Sequence, residues 1–246
     1  MKAIILAAGF GRRLQPITNT IPKSMVPIRG TPLILRSMEK IAALGISEFV
    51  IVTGHMASYI QNILGHTYQG IPIHYIENSC YETTNNIYSL WMAAKYVRDS
   101  AYLFECDLLY SKQLLQKLST SAADCSIVTS VFNPETMDGS VIQVDAEDNA
   151  VDLYLKKEQT LGFDYSDKRK TVNIYKFSAD FWQNAVVPAL NREINGGNTQ
   201  SYYELILKEI MHRKHWQIKS VNVPEADWCE IDDAEDLKRA EGSDLL

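Results

Sequence analysis

Residues 3–14 read AIILAAGFGRRL, and this stretch decides the fold that the rest of the chain adopts. Its first six residues are continuously apolar rather than alternating, which is typical of a parallel strand buried on both faces of a sheet. Gly9 and Gly11 follow where such a strand turns towards a helix, and a residue without Cβ lets backbone N–H groups come close to an anion. The stretch therefore predicts an α/β domain with an anion-binding turn after its first strand.

Three basic side chains accompany the glycine turn. Arg12 and Arg13 follow it directly, and Lys23 comes from a second loop behind Pro22. Guanidinium groups offer planar forks of donors that suit phosphate oxygens, and an ammonium adds a point charge. No acidic residue occurs in the segment 15–29, so the local charge is positive. We interpret the strand, turn, arginines and remote lysine as a cradle for a triphosphate.

Two other nucleotide-binding motifs do not fit this stretch. A dinucleotide-binding turn requires a third glycine where Leu14 stands, with an acidic residue about 20 positions further on. A Walker loop requires Gly-Lys-Ser/Thr after four spacer residues, and the sequence lacks it. A tight turn without a ligand accounts for the glycine pair alone, but not for the basic residues beside it.

Length, charge and cysteine content bound the class of protein. The 246 residues suit one domain, and a net charge of −6 does not favour a nucleic-acid partner. No apolar run approaches the ~18 residues of a membrane span, and we expect no secretory signal, since no positive segment with an apolar segment behind it occurs at the start of the sequence. Four cysteines match neither a zinc site nor a redox pair, so we expect buried free thiols in a cytoplasmic protein. The oligomeric state stays open, and a homodimer is one option.

Predicted strands and helices alternate through the first half of the chain. The strands fall at 48–53, 71–76, 101–104 and 126–132, and the helices at 32–44, 57–64, 87–97 and 112–118. This alternation predicts right-handed crossovers and a doubly wound, mostly parallel, Rossmann-like sheet in an α/β fold.

The pattern changes at residue 139. Between 139 and 177 apolar and polar residues alternate, which indicates a small antiparallel insertion on the substrate side of the same sheet. We therefore expect one domain spanning 1–246 with this insertion inside it. Further elements are predicted at 179–190, 201–213, 216–223 and 234–240, as two helices, a strand and a helix.

The glycine turn, the arginines and Pro22-Lys23 together resemble the signature of the sugar-phosphate nucleotidyltransferase-like family. These enzymes join an NTP to a phosphorylated small molecule and release pyrophosphate. The resemblance implies catalytic roles for Arg13 and Lys23. It also implies nucleotide contacts by the residues of the strand end and turn, which are Leu6, Ala7, Ala8, Gly9, Gly11 and Arg12.

The same family holds its metal ion with aspartates at two places in the chain. Asp107 stands just past the predicted strand 101–104, where ligand crevices form in open α/β sheets, although a loop aspartate there can also cap the next helix. Many members have an Asp two residues earlier, where this chain has Glu105, so the role of Glu105 stays open. The segment 228–233 resembles the family's Glu-Ile-Asp segment. It implies Asp232 as the second ligand of a Mg²⁺ ion, with Asp233 as a helix N-cap.

Other segments resemble the cytidylyltransferase branch of the family. The segment 85–90 is similar to that of small-alcohol-phosphate enzymes such as the phosphocholine cytidylyltransferases, which implies nucleotide contacts by Asn85 and Ser89. Without the resemblance, Asn86 reads simply as a helix N-cap. The segments 170–175 and 202–204 resemble enzymes that activate 2-aminoethylphosphonate. Substrate contacts are thereby implied for Lys156, Tyr175, Glu204 and Trp228.

The expected activity is Mg²⁺-dependent transfer of CMP from CTP to a small phosphorylated or phosphonate amine, with 2-aminoethylphosphonate favoured over phosphocholine. A quaternary ammonium requires an aromatic cage, whereas a primary ammonium requires oxygen acceptors. The acceptors available are Glu158, Glu204 and Glu230. The aromatic residues available for a cage are Tyr88, Trp91, Tyr175, Trp182 and Trp228, and the composition does not choose between the two chemistries. A sugar-1-phosphate nucleotidylyltransferase and a nucleotide-binding regulatory subunit without catalysis are the rival hypotheses.

Overall fold

The computed structural model describes residues 1–245. Its strands are β1 (Lys2–Ala7), β2 (Pro27–Ile28), β3 (Thr31–Pro32), β4 (Glu48–Thr53), β5 (Thr67–Tyr68), β6 (Ile71–Glu77), β7 (Ala101–Glu105), β8 (Leu108–Tyr110), β9 (Cys125–Val131), β10 (Val141–Val144), β11 (Ala150–Tyr154), β12 (Lys168–Phe177), β13 (Ile218–Asn222) and β14 (Trp228–Glu230). Its helices are α1 (Leu33–Ala42), α2 (Ala57–Leu64), α3 (Asn86–Tyr96), α4 (Lys112–Thr120), α5 (Ala179–Phe181), α6 (Val187–Asn195), α7 (Glu204–His212) and α8 (Ala234–Gly242). None of the helices within these residues is long and apolar enough to cross a membrane.

Strand β1 lies at the centre of a parallel group. It pairs in parallel with β4 on one side and with β7 on the other, and β6 extends the group beyond β4. Helices α1, α2 and α3 occur between these strands in the chain, as the alternating pattern predicts. The α/β fold with a mostly parallel sheet is therefore confirmed.

The strand β12 is a central antiparallel member of the same sheet. Its second half pairs with β7 through Tyr175↔Leu103 and with β9 through Tyr175↔Ile127, so it separates two strands that run parallel to each other. Its first half pairs with β10, and β11 continues that edge. The segment 139–177 therefore contributes both the extension of the sheet and one of its inner strands.

Alternate residues of β1 pack on opposite faces of the sheet. Ile4 and Leu6 belong to a core cluster with α3, α6 and α7, whereas Ala3, Ile5 and Ala7 belong to a cluster with α1, α2 and α4. Ile4 and Ile5 are fully buried, and burial of such a side chain stabilises the fold by about 1.5–3 kcal/mol. The continuous apolar run of β1 is explained by this burial on both faces.

The predicted elements of the first half agree with the structure to within two residues at each end. The predicted helix 179–190 is less regular, because a π-helical turn, Trp182–Val186, separates α5 from α6. Pro188 lies near the start of α6 and has no N–H to donate, so the helix widens directly before it. The helix predicted at 201–213 begins only at Glu204, since Tyr203 occupies the N-cap.

The cysteines are free thiols, as the sequence predicts. Cys106 and Cys125 are buried, and Cys229 is partly exposed. The expected burial is wrong for Cys80, which is exposed in the polar loop between β6 and α3.

Gly11 allows the glycine turn and the Lys23 loop to touch. Its φ is +69°, and a Cβ at this position would lie 2.8 Å from Cβ of Lys23 and 3.1 Å from Cγ2 of Thr18. A residue with a Cβ at position 11 would therefore be strained twice, by its left-handed backbone conformation and by its close contact with Lys23. Gly9 differs, because a Cβ there would meet nothing within 4 Å.

We expect Gly11→Ala to lower the free energy of unfolding by about 1–3 kcal/mol, because strain and steric overlap fall on the same residue. Gly9→Ala is the matched control and should change the free energy of unfolding by less than about 0.5 kcal/mol. Urea unfolding followed by circular dichroism measures both. Equal midpoints for the Gly11 variant and the wild type would contradict this account of the turn.

Candidate active site

A cavity of about 330 Å³ opens at the carboxyl ends of β1 and β7. It is bounded by the glycine turn, the start of α3 and the loop before it. Of the residues for which the sequence predicts nucleotide contact, the lining includes Leu6, Ala8, Gly9, Gly11, Arg12, Asn85 and Ser89. Ala7 is not among the lining residues. It packs in the core cluster on the face of the sheet that is covered by α1, α2 and α4.

The glycine turn presents free backbone donors. Within residues 1–245, the N–H groups of Gly9, Phe10 and Gly11 have no acceptor. The carbonyl of Gly11 is held instead, by the Thr18 hydroxyl at 2.8 Å and the Leu14 N–H at 3.0 Å. Consecutive free N–H groups form a concavity suited to an anion. The turn can thus bind phosphate oxygens through its main chain.

Three carboxylates meet at the edge of this cavity. Asp107, Glu230 and Asp232 each offer an oxygen, and these oxygens all lie within 4.8 Å of one another. Oδ1 of Asp107 is buried and has no hydrogen-bond partner within the described residues. The alternative role of Asp107 as a helix cap is filled by Ser111, whose hydroxyl accepts from the N–H of Leu114 at 3.1 Å.

This donor set fits a small divalent cation. Carboxylate oxygens are the ligands that Mg²⁺ prefers, and the buried unpartnered oxygen of Asp107 is a free donor atom. Glu230 is the last residue of the extended strand β14, and Asp232 follows it two residues later. In an extended chain residues two apart face the same side, so Glu230 joins the two aspartates. From its sequence position, Glu230 was expected only as a possible acceptor for a substrate amine. The two-residue spacing within the Glu-Ile-Asp segment was the signal for it.

Lys23 lies between the two aspartates. Its Nζ donates to Asp107 Oδ2 and to Asp232 Oδ1, both at 2.7 Å, and Arg13 contacts the same Asp232 oxygen at 2.8 Å. Burial alone would lower the pKa of Lys23, but the charges of the two aspartates outweigh burial and raise the pKa above its ordinary value. Lys23 is therefore firmly cationic and neutralises the carboxylates.

A second cavity of about 700 Å³ adjoins the first. One wall comes from β12, where the register shifts between Thr171 and Tyr175 and Asn173 adopts a left-handed φ of +58°. Such a bulge redirects a side chain, and Asn173 lines the cavity. Lys170, only 3% exposed, lies nearby with its Nζ 3.6 Å from Glu230. Burial raises the pKa of Glu230, and Lys170 opposes that shift.

Glu105 ties the two cavities together. Its Oε1 accepts from Asn86 Nδ2 at 3.2 Å and from the Tyr203 hydroxyl at 2.9 Å. The carbonyl oxygen of the Asn86 side chain in turn accepts from the Tyr203 N–H at 2.9 Å. Burial, reinforced by the charge of Asp107, raises the pKa of Glu105 well above its ordinary value. Glu105 thus joins β7, α3 and the start of α7, and it lies outside the three-carboxylate group.

The cap of α3 differs by one residue from the simple reading of the sequence. Asn85, not Asn86, is the N-cap, and its side-chain oxygen accepts from the Asn86 N–H at 2.7 Å. Asn86 is released for the network with Glu105 because the helix begins one residue earlier than predicted.

Of the four predicted substrate residues, two line the second cavity and two are buried behind the cavity walls. Lys156 and Glu204 line the second cavity, where Lys156 is exposed and pairs with Asp138 at 2.6 Å. Tyr175 and Trp228 are buried and are not among the lining residues of either cavity. Tyr175 supports the wall from behind, since its hydroxyl donates to Asn173 Oδ1 at 3.3 Å. The Trp228 ring lies 6.0 Å from Lys170 Nζ.

Several residues that line the cavities were not predicted from the sequence as site residues. In the first cavity they include Asn78, Tyr81, Thr84 and Cys106. Asn78 is buried and its amide donates to Thr84 Oγ1 and Ser89 Oγ, both at 3.1 Å, so it fixes the loop to α3. A polar residue directly after a strand of the parallel group was the available signal, since β6 ends at Glu77 and Asn78 follows it.

Comparison with known proteins gives the family. Residues 2–217 match the family described as nucleotidyl transferase. The CMP-5′-(3-aminopropyl)phosphonate synthase of Streptomyces rubellomurinus is 28% identical over 98% of this chain and 38% of its own length, so the chain spans well under half of that relative. The CTP:phosphoglutamine cytidylyltransferase of Campylobacter jejuni is 26% identical over 97% of this chain and 98% of its own length.

Solved structures share the fold. The CTP:phosphocholine cytidylyltransferase of Streptococcus pneumoniae superimposes with a TM-score of 0.81 at 20% identity, covering 98% of this chain and 97% of that one. The match to the family extends from the first strand to the segment before β13, and it includes the glycine turn, Lys23 and Asp107. This chain is a member of the nucleotidyl transferase family.

Proposed function

We propose that the protein is a Mg²⁺-dependent cytidylyltransferase. It would join CMP from CTP to a small amine that carries a phosphonate or phosphate, and it would release pyrophosphate. The first candidate for this acceptor is 2-aminoethylphosphonate, and phosphocholine is the second.

The main support for this proposal is that the two cavities share one cluster of charged residues. Both are lined by Arg13, Lys23, Asp107 and Asp232, so a ligand in either cavity reaches the same charges. Nucleotidyl transfer requires two anionic reactants to meet at the α-phosphorus, and catalysis is mainly positioning and charge neutralisation. Adjoining cavities position the two reactants, and the cations and carboxylates where the cavities meet supply the charge neutralisation.

The chain's own groups account for most of the proposed chemistry. The free N–H groups of Gly9–Gly11 and the guanidinium groups of Arg12 and Arg13 would bind the triphosphate. A Mg²⁺ ion held by Asp107 and Asp232, with Glu230 in reach, would supply charge neutralisation at the phosphates. The attacking phosphonate or phosphate oxygen is already ionised near neutral pH, so no general base is required.

Lys23 has two successive partners in this mechanism. In the free protein its ammonium neutralises Asp107 and Asp232. Because Lys23 contacts Oδ2 of Asp107 and Oδ1 of Asp232, its positive charge competes with a cation for the same two carboxylates. Phosphate oxygens on the adjacent glycine turn then offer Lys23 a new anionic partner. Nucleotide and cation are therefore expected to bind together.

The relatives support the choice of nucleotide and acceptor class. Those named for aminopropylphosphonate, phosphoglutamine, choline phosphate and aminoethylphosphonate all carry cytidylyl or CMP names. Their acceptors are small and amine-derived. The intact charged set of Lys23, Asp107 and Asp232 also favours an enzyme over a regulatory subunit without catalysis.

Pyrophosphate release tests this function. Each of the four NTPs is supplied with Mg²⁺ and one acceptor from a panel of 2-aminoethylphosphonate, phosphocholine, phosphoethanolamine and hexose 1-phosphates. We expect turnover with CTP and an amine-bearing acceptor. Turnover only with hexose 1-phosphates would establish the sugar-1-phosphate alternative, and no release with any combination would favour the regulatory one.

Asparagine at either metal aspartate should abolish most of the turnover. We expect Asp107→Asn and Asp232→Asn each to lower kcat by roughly 10²–10³-fold, because a neutral amide holds a divalent cation poorly. Asp233→Asn is the control, since Asp233 caps α8 and asparagine caps equally well. A variant at Asp107 with wild-type kcat would refute the metal assignment.

Replacing Lys23 should tighten metal binding to the nucleotide-free protein. We expect Lys23→Met to increase Mn²⁺ affinity by about tenfold or more, a difference of about 1.4 kcal/mol, because the competing ammonium is gone. Calorimetric titration without nucleotide measures it. Arg12→Met controls for the general loss of positive charge, since Arg12 makes no ion pair within residues 1–245. Unchanged or weaker Mn²⁺ binding in the Lys23 variant would contradict the competition.

A further inference from the structure

Most cations of the second cavity are paired with carboxylates. The pairs are Lys23 with Asp107 and Asp232, Arg13 with Asp232, Lys156 with Asp138, and Lys170 with Glu230, whereas Lys157 makes no ion pair within residues 1–245. Glu105 is satisfied by Asn86 and Tyr203. Glu105 and Glu204 are the lining carboxylates without an ion pair in the described part of the chain, and of these two only Glu204 has a buried oxygen without a hydrogen-bond partner.

Glu204 is held with one oxygen free. The residue is only 5% exposed and begins α7. Ser140 Oγ reaches its Oε1 at 3.4 Å, whereas Oε2 is buried and has no hydrogen-bond partner within residues 1–245. A buried carboxylate oxygen without a donor is costly. Burial raises the pKa of Glu204, although the charge of Lys170 and the nearby polar groups of Ser140 and Asn86 oppose that shift. The cavity therefore contains an unused acceptor that a ligand can satisfy.

The rest of the lining indicates which donor fits. Among the described lining residues, Tyr202 is the single aromatic one, and it is 53% exposed. A trimethylammonium group is bound by an aromatic cage and has no N–H to give to Glu204. A primary ammonium has three N–H donors and a full positive charge, which match an unpaired carboxylate.

The position of the cations orients such a ligand. Arg13 and Lys23 lie where the two cavities join, so an anionic phosphonate or phosphate is attracted to that end. Glu204 lines the second cavity and is not among the lining residues of the first. A molecule with an anionic group at one end and an ammonium at the other thus meets opposite charges at both ends.

We propose that Glu204 is the receptor for a primary ammonium group on the acceptor substrate, and that it excludes quaternary ammonium acceptors. This inference rests on the proposed transfer function, because it assigns the second cavity to the acceptor. It selects 2-aminoethylphosphonate and similar ω-aminoalkyl phosphonates or phosphates over phosphocholine.

Direct binding tests the inference without turnover. The protein is saturated with Mg²⁺ and α,β-methylene-CTP, which cannot transfer CMP, and is titrated calorimetrically with three ligands. These are 2-aminoethylphosphonate, its N,N,N-trimethyl analogue and ethylphosphonate, which lacks the amine. We expect 2-aminoethylphosphonate to bind on the order of 100-fold more tightly than either of the others, as for a hydrogen-bonded charge pair.

The isosteric variant Glu204→Gln identifies the residue responsible. We expect it to weaken binding of 2-aminoethylphosphonate by on the order of 100-fold and to leave ethylphosphonate binding unchanged. Glu209→Gln is the matched control on the same helix. Glu209 pairs at the surface with Arg192 and Arg213 and should behave as wild type. In pyrophosphate assays the Glu204 effect should fall mainly on KM, because the amine is remote from the reacting phosphorus.

The outcomes separate this inference from the transfer function itself. Equal binding of the amine and trimethyl ligands, or an unchanged amine affinity in Glu204→Gln, would overturn the Glu204 assignment while CTP-dependent turnover still stands. Loss of ethylphosphonate binding in Glu204→Gln would also overturn it, because the carboxylate would then be shaping the cavity rather than binding the amine. If no acceptor binds, both the assignment and the acceptor class are wrong.

Discussion

The contact of Lys23 with Asp107 and Asp232 is the constraint on which the site depends. Without a cation among them, Asp107, Glu230 and Asp232 would hold three negative charges within 4.8 Å of one another. Lys23 resolves this repulsion in the free protein at 2.7 Å from each aspartate. It comes that close because Gly11 has no Cβ, so the two loops can touch. Gly11 therefore determines the position of Lys23 as well as the shape of the phosphate turn.

The sheet order explains how distant residues reach one site. Because β12 lies between β7 and β9, its bulge at Asn173 faces the cavity next to the end of β7, where Asp107 follows. The pairing of β14 with β8 brings Asp232 back to the same edge from the end of the chain. A purely parallel sheet would have placed β9 beside β7 instead. The antiparallel strand is thus what provides a second cavity beside the nucleotide cavity.

Much of this could be predicted from the sequence, and the remainder has physical reasons. Local signals sufficed for the parallel strands, for the free thiols and for the N-cap Asp233, because each depends on neighbours within a few residues. Sequence patterns did not reveal that β12 is an inner strand, since pairing across 40 residues or more leaves no local trace. Tyr175 and Trp228 look like ligand residues by type, but their surroundings bury them behind the cavity wall. Burial of this kind is a property of the packed fold.

The buried carboxylates give the clearest link between structure and function. Glu105, Glu204 and Glu230 all have raised pKa values because burial disfavours their charged forms. A fold gains no stability from such groups, since apolar residues of similar volume would pack at lower cost. Each, however, faces a distinct neighbour: Glu105 fixes two helices, Glu230 stands beside the metal aspartates, and Glu204 keeps a free oxygen. Perturbed groups that differ in this way are characteristic of a site in which each carboxylate has its own ligand or partner.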